Sequence, residues 1–102
     1  MTATLNQPAV LLFGVRPVLT DLYNLLLDDL RIGCARLGED CLVCKAWQIC
    51  PEGLWDTLSL DERRLVGLCV SHMVDKGLLP LVKIKAKGYP RRYRLIRHAT
   101  AQ

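Results

Sequence analysis

Four thiols open the question of chemistry, because Cys34, Cys41, Cys44 and Cys50 fall within seventeen residues as C-x6-C-x2-C-x5-C, with Pro51 after the last. Tetrahedral zinc takes four such ligands, and an iron–sulfur cluster takes the same set, often beside a Cys-Pro step and apolar neighbours such as Leu42, Val43, Trp47 and Ile49. Against this, Cys34 and the fifth cysteine, Cys69, lie within the apolar arcs of helical segments, where free cysteine behaves as a small hydrophobe. Cys41-Leu-Val-Cys44 also lacks the glycine or proline that shapes a zinc knuckle. Three alternatives therefore stand: core cysteines, zinc or an iron–sulfur cluster on the four thiols, or a reversible Cys41–Cys44 disulfide.

No other grouping suggests catalysis. His72 and His98 have no carboxylate or serine at triad or metal-pair spacing. Asp28-Asp29 and Asp61-Glu62 are adjacent pairs that face different ways on a helix, and no glycine-rich phosphate loop occurs. A chain of 102 residues has little room for a closed catalytic pocket, so the expectation is that the protein is not an enzyme.

The cations carry more information. Residues 1–77 hold ten acids and seven bases, whereas residues 78–102 hold seven bases (Lys83, Lys85, Lys87, Arg91, Arg92, Arg94 and Arg97) and no acid. Segregating charge in this way costs self-repulsion, and a polyanionic partner such as nucleic acid is the usual reason to tolerate it. The apolar run Ala9–Phe13 is too short to span a bilayer and has no cationic flank before it, so neither export nor membrane insertion is expected. The expected location is the cytoplasm, a reducing compartment for the thiols.

The elements that must position these residues can be read from periodicity. Residues 1–17 are a lead-in whose apolar part, 9–17, suits either a short helix or a strand. A first helix is expected within 18–37, from Thr20, with Leu22, Tyr23, Leu25, Leu26, Leu30, Ile32, Cys34 and Leu37 on one side. That arc is wider than one packing surface requires. Either residues 9–17 fold back over the excess or it meets a second copy, making a homodimer.

A cysteine-rich connector, 38–50, leads to a short helix at 51–58 with Pro51 at its start. Ser59-Leu-Asp-Glu62 matches a capping box and Gly77 a left-handed stop, bounding a third helix at 60–76. Residues 78–97 alternate about a turn at Lys87-Gly88, as a β-hairpin does. The expected fold is one small α+β domain, three main helices followed by a C-terminal hairpin.

The stretch Leu65-Val66 through Met73-Val-Asp-Lys-Gly77-Leu-Leu79, followed by Gly88-Tyr-Pro-Arg-Arg-Tyr-Arg-Leu95, resembles winged-helix transcription regulators, with the MarR- and PadR-like groups nearest. The resemblance covers residues 51–97. It implies that residues 51–76 are a helix-turn-helix whose second helix enters the major groove of double-stranded DNA, while the hairpin, the wing, lies along the adjacent backbone or minor groove.

On the helical wheel, Leu65, Val66, Cys69, Val70 and Met73 form the buried side of the third helix. Arg64, Gly67, Ser71 and Asp75 point outward, with Asp61 and Arg63 at the edges. The expected DNA contacts are therefore Arg63, Arg64 and Ser71 from the helix and Lys83, Lys85, Lys87, Arg91, Arg92 and Arg94 from the wing. Two alternatives remain. Winged helices also serve as protein-interaction modules, which the acidic start of the third helix would suit, and a metal- or cluster-bearing chain would be a redox-responsive component.

Overall fold

The computed structural model describes residues 7–37, 43–84 and 92–96. The chain is a small α+β domain with two separate antiparallel sheets.

The N-terminal apolar segment is a β-hairpin, β1 (Ala9–Leu12) and β2 (Arg16–Leu19), with Val10 opposite Val18 and Leu11 opposite Pro17. Its turn is closed by the Val15 N–H donating to the Leu12 carbonyl at 3.0 Å, with Phe13 and Gly14 both at positive φ (50° and 75°). Two left-handed residues give a turn whose twist matches that of the strands it joins. Strand alternation then decides burial: Leu12 and Val18 enter the core, while Leu11 and Leu19 stay exposed.

Helix α1 (Thr20–Arg36) follows β2 directly and buries Tyr23, Leu27, Leu30, Gly33 and Cys34. Gly33 is required by close approach, because a β-carbon there would run into the Ile49 carbonyl. Of the wide apolar arc, Tyr23, Leu30 and Cys34 are buried, whereas Leu22, Leu25 and Ile32 stay 53%, 62% and 64% exposed, so the N-terminal hairpin does not cover the whole arc.

The connector contains two short elements that periodicity cannot reveal: β3 (Val43–Cys44) and a 3-10 helix (Ala46–Ile49). The helix expected at 51–58 is one turn, α2 (Leu54–Thr57), preceded by Gly53 at φ 82°. Pro51 thus stands before the helix rather than within its first turn.

Helix α3 (Leu60–Asp75) has the ends its sequence predicts. The Glu62 N–H donates to Ser59 Oγ at 3.2 Å, and the Ser59 N–H donates to Glu62 Oε1 at 2.7 Å. At the other end Gly77, φ 71°, closes a Schellman motif in which the Leu78 N–H bonds the Met73 carbonyl and the Gly77 N–H the Val74 carbonyl.

The second sheet has the order β3–β5–β4, where β4 is Leu81–Lys83 and β5 is Tyr93–Leu95. Tyr93 lies opposite both Cys44 and Lys83, and Arg94 opposite both Val43 and Val82. Period-two alternation sends Cys44, Leu81 and Tyr93 into the core and leaves Arg94 outside. The expected turn at Lys87-Gly88 lies outside the described residues. Among the described residues no helix is long and apolar enough to cross a membrane.

Candidate functional site: the basic groove beside α3

The first two turns of α3 border a groove of about 720 Å³, closed on its other sides by the start of the 3-10 helix, by α2 and by β5. Trp47 and Trp55 supply aromatic walls, Leu60 and Leu68 aliphatic ones, and Tyr93 lines it from β5. Above Gly67 the space is open, with no atom within 4 Å of where a β-carbon would stand, so backbone is accessible there.

Among the described residues, three cations line this groove, Lys45, Arg63 and Arg64, and no carboxylate does. Arg63 is held in place twice: its Nε donates to the Trp55 carbonyl at 2.9 Å, and its guanidinium stands 5.6 Å from the centroid of the Trp55 ring. Both contacts leave its terminal N–H groups available to a ligand. Arg64 pairs with Asp61 at 3.7 Å across a fully solvated surface, where such pairs are weak.

The DNA contacts expected from the wing divide into three groups. Arg92 and Arg94 are exposed at and beside β5. Lys83, in contrast, turns toward the body of the domain, pairs with Asp75 at 2.8 Å and lies 5.6 Å from the Phe13 ring centroid, so a phosphate would have to displace that carboxylate. Lys85, Lys87 and Arg91 lie outside the described residues.

Ser71 is a correction. Expected to face outward, it is fully buried, one of five consecutive core residues, Cys69 to Met73. The wheel assumes a helix with one solvated face, whereas this half of α3 is enclosed. His72 shows how: its Nδ1 is 2.8 Å from the Tyr23 hydroxyl of α1, and the Phe13 ring of the N-terminal hairpin meets it edge-on at 5.5 Å. Burial raises the Tyr23 hydroxyl above its ordinary value, with the nearby Cys69 adding to the effect.

Among the described residues, no three His, Cys, Asp or Glu side chains converge so as to hold a metal ion. Cys34, Cys44 and Cys50 are buried and in no disulfide, and Cys41 lies outside the described residues. Burial pushes Cys34, Cys50 and Cys69 up to about 11; the neighbouring Cys44 adds to the rise at Cys34, while Arg16 offsets part of it at Cys69. The Cys50 thiol also donates to the Ala46 carbonyl at 3.4 Å, inside the 3-10 turn.

The groove itself was not visible in the sequence. Lys45 and Trp47 sit at the start of the 3-10 helix and Trp55 on α2, and only folding brings them to Arg63 and Arg64. The chain matches no protein-family model, and no significant similarity to a curated protein or to a solved structure is found.

Proposed function

We propose that the chain is a winged-helix DNA-binding protein acting as a transcriptional regulator. Supporting this are the element order α1, β3, α2, α3, β4, β5, the sheet order β3–β5–β4, and the sequence resemblance over residues 51–97. The observation that carries the reading is the exposure of the first two turns of α3, with Arg63 and Arg64, beside a strand whose Arg92 and Arg94 face solvent. Reading helices contact base edges from their N-terminal residues, so burial of the second half of α3 is compatible with the role. Ser71 is not part of the proposed interface.

The reading includes a homodimer, supported by the exposed apolar Leu22, Leu25 and Ile32 along α1 and Leu11 and Leu19 on the hairpin. One feature favours a second reading, a protein-interaction module: Asp61 and Glu62 are exposed at the start of α3, where they oppose phosphates.

Fluorescence anisotropy of a mixed-sequence duplex pool at several salt concentrations tests the proposal. With about five phosphates neutralised, log affinity falls against log salt with a slope of roughly −4 to −5. Replacing Lys85, Lys87, Arg91 and Arg92 by Ala abolishes most of that dependence. Duplex binding no tighter than that of any basic protein, unchanged in the variant, sinks the reading and favours the interaction module.

A further inference from the structure

We infer that the groove between α3 and the 3-10 helix binds single-stranded nucleic acid, stacking unpaired bases on Trp47 and Trp55 and taking the sugar-phosphate chain on Lys45, Arg63 and Arg64. This goes beyond duplex binding and does not depend on it. A base within a duplex is stacked on both faces and cannot enter a concave site, whereas an unpaired base has two free faces.

Three features select this occupant. Among the described residues, the groove's lining carries three cations and no carboxylate, which matches a polyanion. Its walls are two indoles, and Trp47 is half exposed at 50%, a large apolar surface that a stacked base would remove from water. Beside them the open backbone at Gly67 leaves room for a flat ring to approach. Aromatic platforms lined by cations are how proteins hold single strands with little sequence preference.

Arg63 is suited to a phosphate because its contacts to Trp55 already fix its guanidinium, so less freedom is lost on binding. Arg64 need only give up a solvated pair with Asp61. The volume of about 720 Å³ lies within the range of sites that enclose small organic ligands, larger than one base requires.

The chain has only two tryptophans and both line this groove, so intrinsic fluorescence reports its occupancy directly. The full chain is titrated with a short oligo-dT strand, with emission excited at the red edge of indole absorption, clear of the bases. The expected result is saturable quenching that weakens as salt rises. A blunt-ended duplex, which has no unpaired base to stack, should quench much less than the strand at equal occupancy.

Trp47→Ala should weaken strand binding roughly five- to hundredfold, the range for losing one stacked base. Lys45→Glu should weaken it while keeping both fluorophores. If Trp47→Ala disturbs the far-ultraviolet circular dichroism, Trp47→Phe takes its place and should retain binding. Arg92→Ala with Arg94→Ala should lower duplex affinity and leave the quenching amplitude intact, which separates failure of this inference from failure of the duplex reading. Strand binding without a change in emission, or a polyglutamate peptide of equal charge that quenches as well, overturns the inference.

Discussion

The two halves of α3 obey different rules. Over residues 60–68 the helix is a surface element: Leu60, Asp61, Glu62 and Arg64 are exposed, and the rest are half-buried. Over 69–73 every residue is in the core, the polar Ser71 and His72 included. The first half meets only short elements, whereas the second lies against α1, the N-terminal hairpin and the central sheet at once. One continuous helix thus serves as a candidate binding edge at its start and as the hub of the core at its end. The N-terminal hairpin contributes to this enclosure, since the Phe13 ring meets His72 edge-on at 5.5 Å.

Substitutions can break or sharpen this contrast. The largest effect belongs to the enclosed half: Met73→Ala removes a fully buried side chain and should cost about 2–5 kcal/mol in urea unfolding. A loss below about 1 kcal/mol would mean that the region is loosely packed. At the exposed half, losses are local. Ser59→Ala removes the cap and should cost about 1 kcal/mol at neutral pH.

The same cap has a pH signature. The Ser59 backbone N–H, and then its hydroxyl, hold the Glu62 carboxyl below its ordinary 4.5. A depressed carboxylate stabilises the fold above its unfolded value and loses that contribution as pH falls through the folded one. Glu62→Gln should therefore flatten the acid limb of stability below about pH 4.5, without steepening it anywhere.

Smaller still, Gly67→Ala should stabilise the protein by about 0.5–1 kcal/mol, because the added methyl meets nothing and alanine is the better helix former. In thermal melts this variant should unfold later than the parent, while its affinity for oligo-dT falls as the methyl enters the groove. Smallest is Arg64→Ala, expected to change stability by less than about 0.5 kcal/mol, since its ion pair is solvated. Its effect should appear in binding instead, and a variant that unfolds without losing affinity would reverse the assignment of this half of α3.

Local signals in the sequence were enough for the parts of the fold that local chemistry controls. The capping box at Ser59 and Glu62 and the Gly77 stop bound α3 to within a residue, because those bonds close between near neighbours. The alternation of Leu81–Lys83 and Tyr93–Leu95 marks two paired strands for the same reason. Cys69, Val70 and Met73 lie in the core, as their positions on the wheel predict.

Other features depend on contacts far apart in the chain. Periodicity leaves the 9–17 segment ambiguous, because four-residue strands are too short to declare a period, and their pairing rests on a turn with Phe13 at positive φ. Ser71 was misplaced because no property of α3 itself tells which of its sides distant parts of the chain will cover. Nor could spacing bring Lys45, Trp47 and Trp55 to Arg63. The amino-acid sequence by itself determined where α1 and α3 start and stop, that 81–83 and 93–95 alternate, and that positive charge gathers toward the C-terminus. Which face of α3 stays in water, and that two indoles and three cations share one groove, was decided only by tertiary packing, where non-local burial overrides what any single helix would choose.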